Sequence, residues 1–525
     1  MPVRSIGNAS STAARPGVAL AAVTAVLFVT FLDTTVVSVA LGDIRHDLGT
    51  NVTLLQWVVN AYTVVFAGLM LAGGSLGDHW GRKRVMAAGL VIFCAGSVVA
   101  ALAASVPVLV AGRAIMGVGA AASEPGTLSV LRHIFPEERA RARALGVWAA
   151  VSGLALAAGP VLGGALVHTY GWRSIFWFNL VIGVVALAAA LWSIPESADP
   201  RSGPVDWAGF LLGATFLGSV IYATTEGGDR GFTEPSVIAL YALGAVAGAG
   251  FVAVETRAPA PMLDFRYLRL PTVRSALVVA FAVYFGVFSI FFFTTAYLQV
   301  MQAYSAAHTA TVFAPMAVAI IAGSLAAGVW VARRGAPIPM IAGCVVGAGG
   351  ILLTRHTLAA PPHDLSLAAA MAVAGFGFGI AVVPLTSAVL SGVPAAHSGM
   401  AAAVTNTMRQ VGSAVGVAVL GALVNSFLTS DLKARMTELG LPPTLQLNAI
   451  DAAERGRIPK GADLAPYLKY LSKVSEIIAT GKSAFHHGLD VALLVSAILI
   501  LAAAAFTALE TARHAKNGLV QQHSD

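Results

Sequence analysis

Long apolar segments alternate with short polar ones along nearly the whole chain. Several of them exceed the roughly 20 residues that an α-helix needs to cross about 30 Å of hydrocarbon. Counting apolar windows predicts fourteen spans, near residues 17–42, 54–75, 85–104, 107–132, 143–168, 174–194, 206–225, 235–255, 274–298, 308–332, 338–356, 365–391, 400–429 and 487–511. The pattern therefore predicts an all-α integral membrane protein.

Lys and Arg are distributed unequally between the two sides of this topology. An even number of spans places both termini on one side, which carries eighteen of these residues against four in the short loops of the other side. Because short cytoplasmic loops are enriched in Lys and Arg, both termini are predicted to be cytoplasmic, in a multi-pass protein of the cytoplasmic membrane.

Composition agrees with a membrane protein and excludes other classes. Of 525 residues, 57% are hydrophobic and 11% are charged, about half the charged fraction of a soluble domain. The net charge of +7 is spread over short clusters and forms no continuous basic face, so no nucleic-acid partner is expected. The two cysteines, Cys94 and Cys344, lie inside apolar segments, where a disulfide is not expected.

One long polar segment, residues 430–486, falls on the outer side. Within it Tyr467, Leu471, Val474 and Ile478 recur at helical spacing. Two interpretations stay open: an interfacial helix, or a small cap over the last two spans.

Asp33 and Arg113 lie inside predicted spans, at depths in the outer half that roughly match. Ionisable groups in hydrocarbon are unfavourable by several kcal/mol, so they are functional candidates. The affinity of a buried carboxylate for a proton responds to desolvation and to a nearby cation, so small movements of Arg113 could load or release a proton on Asp33. The alternative is a static buried ion pair.

Glu124 follows Arg113 by eleven residues, which returns it to nearly the same helix face about 16 Å deeper. It is a candidate second proton site or a binding site for cationic substrates. Alternatively, it only satisfies the helical turn that Pro125 interrupts. Arg409 lies deep in the thirteenth span and requires a partner that the sequence does not identify.

Two glycine-containing motifs are candidates for a conformational gate. The loop GGSLGDHWGRKR, from Gly73 to Arg84, combines glycines with acidic and basic residues that can pair and separate as helices slide, although it could also simply anchor the topology. The fifth span contains SGLALAAGPVLGG, whose small residues let helices approach closely. The gate candidates are Gly74, Asp78, Gly81, Arg82, Gly153, Gly159, Pro160, Gly163 and Gly164.

Two segments resemble parts of phosphate-binding or metal-binding motifs, but their surroundings do not match those motifs. The segment Thr480 to Ser483 resembles the end of a phosphate-binding loop, but Glu476 stands where its first glycine belongs. His486 and His487 are adjacent and do not have metal-ligand spacing. The sequence therefore indicates a protein that is not an enzyme and that needs no cofactor or metal.

Together these residues resemble the major facilitator superfamily, specifically its fourteen-span drug:proton antiporter branch. GGSLGDHWGRKR is similar to the superfamily's signature loop, and AGRAIMGVGAA to the fourth-span motif whose arginine, here Arg113, transfers protons. SGLALAAGPVLGG is similar to the antiporter motif, and FLDTTVVSVAL to the first-span motif whose acid, here Asp33, is implicated in coupling. Glu124 is not part of the fourth-span motif.

The resemblance implies two six-helix bundles around a central cavity that opens alternately to each side. The implied organisation is a tail (1–16), a first bundle (17–200), two linker helices (201–260), a second bundle (261–515) with the outer insertion 430–486, and a tail (516–525). The expected cavity residues are Trp57, Tyr62, Glu124, Tyr284, Phe288, Phe292 and Arg409.

The resemblance also implies a function. Protons flowing inward would drive export of small hydrophobic or cationic compounds, with the proton gradient as the energy source. The expected partners are the small-molecule substrate, protons and membrane lipid; a monomer is expected, with the oligomeric state left open. Two alternatives are a dedicated exporter of one metabolite, antibiotic or lipid, and a membrane sensor that transports nothing.

Overall fold

The computed structural model describes residues 16–48, 52–197, 206–258, 261–358, 363–443, 445–446 and 471–522. These residues form helices and no β-strand. The helices are α1 (Pro16–Val36), α2 (Leu41–Leu48), α3 (Val52–Trp80), α4 (Arg82–Ala101), α5 (Val106–Ile134), α6 (Glu138–Tyr170), α7 (Arg173–Ser193), α8 (Trp207–Arg230), α9 (Pro235–Glu255), α10 (Phe265–Leu268), α11 (Pro271–Ser289), α12 (Ala306–Arg334), α13 (Pro337–Leu358), α14 (Asp364–Gly392), α15 (Ser398–Glu438) and α16 (Leu471–Gln522).

Thirteen helices in the described part of the chain are long and apolar enough to cross a membrane. The helix α6 is 33 residues long, which also exceeds the length needed to span the bilayer. Counted with the thirteen, it gives the fourteen long helices that the apolar pattern predicts. The all-helical membrane fold is confirmed.

The long helices pack in two groups. In the first, α4 packs against α5 and α7, α3 against α5, and α6 against α1; in the second, α14 packs against α12 and α13, and α11 and α16 against α15. We call these groups the N-bundle (α1 to α7) and the C-bundle (α11 to α16). The bundles meet mainly where α6 contacts α12 and where α15 contacts α3 and α5, while α8 and α9 pair beside α3 and α15.

Small residues permit the close helix packing within each bundle. A Cβ atom on Gly96 of α4 would lie 2.6 Å from the backbone nitrogen of Met116 in α5. Such a distance is too short for any side chain, so glycine is required for α4 and α5 to approach this closely.

The ninth span departs from α-helical geometry beyond α11. Ile290–Thr294 and Tyr297–Met301 form π-helical turns, in which an additional residue per turn rotates the following side chains. Phe293 is buried, whereas its neighbour Phe292 is 55% exposed.

The described parts of the outer insertion continue the flanking spans. The helix α15 runs on to Glu438, and α16 already begins at Leu471. Leu432 and Met436 of α15 pack with Ala484 of α16 in a small apolar cluster. Tyr467 and the side chains of Leu471 and Val474 lie outside the described residues, so the interfacial helix and the cap both stay predictions.

Candidate functional site

Asp33 and Arg113 form a buried ion pair between α1 and α5. The Nη1 atom of Arg113 donates to Oδ2 of Asp33 at 2.5 Å, and the Nδ2 atom of Asn179 in α7 donates to Oδ1 of Asp33 at 2.7 Å. The side chains of Asp33 and Arg113 are 0% and 1% exposed. The pairing predicted from matching depths is therefore confirmed.

Tyr62 of α3 completes this site. Its ring centroid lies 4.5 Å from the Arg113 guanidinium carbon, a cation–π distance, and its hydroxyl group donates to the backbone carbonyl of Thr30 at 3.0 Å. The Nε atom of Arg113 donates to the carbonyl of Val58 at 2.8 Å. We call Asp33, Tyr62, Arg113 and Asn179 the Asp33 cluster.

In the Asp33 cluster each carboxylate oxygen of Asp33 accepts one hydrogen bond, from Arg113 and from Asn179. Removing one partner of a buried pair leaves an uncompensated charge, which is unfavourable by about 3–5 kcal/mol. Protonation of Asp33 would neutralise one partner, so it requires Arg113 to move toward another acceptor. The cluster can therefore link the gain of one proton to a displacement of helices.

A second buried polar group lies deeper, where the N-bundle meets the C-bundle. The Arg409 guanidinium of α15 donates through Nη1 to Oδ1 of Asn406 at 3.0 Å and through Nη2 to Oγ1 of Thr386 in α14. Its central carbon lies 5.0 Å from the ring centroid of Trp148 and 5.4 Å from that of Tyr284. These contacts identify the partners of Arg409 that the sequence did not.

Glu124 faces this group from α5. It is 1% exposed, and it interacts electrostatically with Arg409 and lies next to the Asn406 amide. Neither carboxylate oxygen has a hydrogen-bond partner among the described residues, so Glu124 does not satisfy the turn that Pro125 interrupts. We call Glu124, Trp148, Tyr284, Asn406 and Arg409 the Glu124 cluster.

The other predicted cavity residues, Trp57, Tyr62, Phe288 and Phe292, lie in four different surroundings. Phe288 stacks on Tyr284, with ring centroids 6.4 Å apart, and so borders the Glu124 cluster. Tyr62 belongs to the Asp33 cluster. Phe292 contacts Phe293 on the π-helical segment. Trp57 packs on Tyr222 of α8, with ring centroids 4.9 Å apart. Its assignment to the cavity stays a prediction.

Asp78 and Arg82 join the bundles at one end. The Asp78 carboxylate accepts hydrogen bonds from the backbone nitrogens of Gly399 and Met400, both at 3.1 Å, and it also accepts from the Arg82 guanidinium at 2.8 Å. Arg82 donates to the carbonyls of Ala395 and Ala396, both at 3.1 Å. We call this end, which also carries Arg132 and Arg141, the basic end.

Glycines bring the backbones together at the basic end. A Cβ atom on Gly74 would lie 2.6 Å from the carbonyl oxygen of Gly399. Gly81 has a φ of +104°, which disfavours other residues, and starts α4 beside Glu196. Arg141 adds a hydrogen bond to Oγ of Ser391 at 3.1 Å. In this conformation the two bundles are closed against each other at the basic end.

The glycines of the fifth span face two different partners. A Cβ atom on Gly153 would lie 2.6 Å from Ile320 of the C-bundle, whereas Gly159 and Gly163 face Thr35 and Val36 near the end of α1. Gly164 has more room, with its nearest neighbour, Val39, at 3.9 Å. The side chain of Pro160 lies outside the described residues.

Sequence reasoning missed Asn179, Trp148 and Asn406. An amide or indole N–H inside a membrane span requires a hydrogen-bond partner. The presence of these three side chains within apolar segments could therefore have indicated a polar site. Trp148 donates to Oγ1 of Thr127 at 3.1 Å. In the described part of the chain, no group of three or more His, Cys, Asp or Glu could hold a metal ion.

Known proteins are similar to this chain in sequence and in fold. The family model described as Major Facilitator Superfamily matches residues 23–417. The chain is 32% identical over 478 residues to the multidrug resistance protein Stp of Mycobacterium tuberculosis (strain CDC 1551 / Oshkosh), covering 90% of this chain and 87% of that protein. It is 32% identical over 502 residues to the multidrug efflux pump LfrA of Mycolicibacterium smegmatis, covering 95% and 97%.

A solved structure agrees on the fold. The human organic anion transporter MFSD10 (TETRAN) superposes with a TM-score of 0.62 at 14% identity, over 93% of this chain and 99% of that one. At this identity the likeness concerns the fold alone. From the sequence matches and this shared architecture, we conclude that the chain belongs to the Major Facilitator Superfamily.

Proposed function

We propose that this protein is a proton-coupled antiporter that exports small hydrophobic or cationic compounds across the cytoplasmic membrane. The observation that carries the proposal is the Asp33 cluster, in which a buried carboxylate is held by a cation from one helix and an amide from another. Ionisable residues in this setting are typical of proton pathways. The names of Stp and LfrA, multidrug resistance and efflux proteins, support the same function.

The mechanism follows from two conformations of the bundles. Residues 17–200 and 261–515 rock against each other, with 201–260 as the linker, and the basic end faces the cytoplasm. When that end is closed, as here, Asp33 takes up a proton from the outside as Arg113 shifts. When it is open, the proton is released to the cytoplasm and substrate enters near Glu124.

The experiment is transport by the purified protein in proteoliposomes whose interior is more acidic than the exterior. Protons leaving the vesicle would drive uptake of ethidium, a hydrophobic cation, and one pH unit provides about 1.4 kcal/mol per proton. We expect accumulation that disappears when nigericin dissipates the gradient. Equal uptake with and without the gradient would refute the proposal.

A panel of substrates tests breadth with the same vesicles. Uptake of several unrelated hydrophobic cations supports a multidrug exporter. Uptake of one compound alone would instead identify a dedicated exporter.

A further inference from the structure

Four buried polar atoms of the Glu124 cluster have no hydrogen-bond partner among the described residues. They are both carboxylate oxygens of Glu124, Nδ2 of Asn406, which lies next to that carboxylate without forming a well-aligned hydrogen bond, and Nε of Arg409. Glu124 is 1% exposed, and Asn406 and Arg409 are each 2% exposed. A buried polar atom without a partner destabilises the protein by about 1–3 kcal/mol, and more when it is charged. Such a concentration of unsatisfied atoms requires a physical reason.

The unsatisfied atoms form a complementary set. The acceptors lie on α5 of the N-bundle, and the donors lie on α15 of the C-bundle. Glu124 interacts electrostatically with Arg409, so the two charges compensate each other in part without forming a direct hydrogen bond. A ligand between them could accept from one helix and donate to the other.

Two aromatic rings border the same place. Trp148 lies 5.0 Å and Tyr284 lies 5.4 Å from the guanidinium carbon of Arg409. Both rings are buried and in contact with Arg409, so an apolar ring of a ligand can reach them only when the bundles part.

A ligand with only one charge fits this arrangement poorly. An ammonium group paired with Glu124 would be repelled by Arg409, which Thr386 and Asn406 hold in place. A carboxylate paired with Arg409 would be repelled by Glu124 in the same way. Only a ligand with both groups pairs each charge with its opposite.

We propose that the Glu124 cluster is a subsite for aromatic zwitterions. The ammonium group of the ligand binds Glu124, its carboxylate binds Asn406 and Arg409, and its ring lies against Trp148 and Tyr284. This inference rests on the proposed export function and adds aromatic zwitterions to the hydrophobic and cationic compounds proposed above as its substrates. Because Glu124 and Arg409 belong to different bundles, the ligand reaches them only when the bundles part.

The test uses one fluorophore with four charge states. ε-Dansyl-lysine carries an ammonium and a carboxylate, its methyl ester is a cation, its Nα-acetyl derivative is an anion, and dansyl amide is uncharged. Binding to the full-length protein in nanodiscs is measured by dansyl fluorescence without any pH gradient. We expect the zwitterion to bind at least about tenfold more tightly than each of the other three, as one additional charged hydrogen bond predicts.

Variants assign the two halves of the site. Glu124→Gln should weaken binding of the zwitterion and the cation about tenfold and strengthen binding of the anion, because Glu124 no longer repels it. Arg409→Gln should weaken binding of the zwitterion and the anion and strengthen binding of the cation for the same reason. Glu234→Gln, which changes an exposed residue immediately before α9, is the matched control and should bind all four probes normally. The wild-type probe series is decisive even if a variant fails to fold.

The outcomes separate this inference from the proposed function. Equal affinity of wild-type protein for zwitterion, cation and anion would overturn the subsite, and so would a Glu124→Gln effect of equal size on all four probes. If the zwitterion binds most tightly but ethidium uptake is the same with and without the pH gradient, proton coupling fails and the subsite stands. If ethidium uptake follows the pH gradient but the zwitterion does not bind more tightly, the subsite fails and proton coupling stands.

Discussion

The Asp78 carboxylate caps α15 of the opposite bundle through the backbone nitrogen of Gly399, at 3.1 Å. The first N–H groups of a helix have no partners within the helix, and an aspartate there also interacts favourably with the helix dipole. Because Asp78 lies on α3 and Gly399 on α15, this stabilisation exists only while the basic end is closed. The cap therefore also holds the two bundles together, and we call the Asp78–Gly399 contact the latch.

Asp78→Asn should weaken the latch. Loss of the charge removes about 1–2 kcal/mol of stabilisation from the closed conformation, so the population open at the basic end should rise about 5- to 30-fold. Ala403, which is 0% exposed and packs against Gly74, is a suitable reporter position. In a protein in which Cys94 and Cys344 are replaced by alanine, the maleimide labelling rate of Ala403→Cys measures this opening.

The control for the latch is Asp43→Asn, which removes an exposed acid near the other end of the fold. It should leave the labelling rate of the cysteine at position 403 unchanged. An unchanged rate in Asp78→Asn as well would show that the cap does not hold the bundles closed.

The Asp33 cluster can be tested as a proton carrier against a static ion pair. Asp33→Asn alone leaves Arg113 buried and uncompensated, so we expect a loss of about 3–5 kcal/mol of stability together with loss of gradient-driven uptake. The double variant Asp33→Asn/Arg113→Met removes both charges and should recover most of the thermal stability, because it leaves no uncompensated buried charge. Thermal unfolding and ethidium uptake are measured on the same preparations.

The double variant decides between the two interpretations. A proton carrier predicts that uptake stays absent although stability returns. A static pair predicts that uptake returns with stability. Asp47→Asn, which disrupts the more exposed pair with Arg173, is the control for charge removal and should retain coupling.

The sequence predicted the Asp33 cluster better than the Glu124 cluster, for a physical reason. The depths of Asp33 and Arg113 follow from the helical rise, and two opposite charges at one depth in hydrocarbon are strongly driven to pair. The partners of Arg409 could not be found in this way. Thr386 and Trp148 are neutral, and their proximity depends on how α14 and α6 are rotated against α15.

Helix rotation also decides the surroundings of the predicted aromatic residues. The fourteen apolar segments could be counted from the sequence, since hydropathy depends on composition alone. Which neighbours a side chain contacts depends on helix packing: Trp57 lies against Tyr222 of α8, and Phe292 is exposed in a segment that leaves α-helical geometry. The apolar pattern contains no signal for either feature.

Gly153 should be necessary for the closed conformation. A Cβ atom there would lie 2.6 Å from Cγ2 of Ile320, so Gly153→Val should force α6 and α12 apart and lower the rate of ethidium uptake at least about tenfold. Gly164→Ala, in the same motif but with its nearest neighbour at 3.9 Å, should transport normally. Uptake by Gly153→Val at the rate of Gly164→Ala would mean that close α6–α12 contact is dispensable.

Export out of the cell requires that the basic end faces the cytoplasm. Arg84, with a side chain that is 78% exposed, lies at this end, whereas the exposed Asp43 lies in α2 after the first span. In protein lacking Cys94 and Cys344, we expect a membrane-impermeant maleimide to label Asp43→Cys in intact cells and Arg84→Cys only after permeabilisation, because short basic loops stay in the cytoplasm. Labelling of Arg84→Cys in intact cells would reverse the topology, and substrate entering at the basic end would then move into the cell.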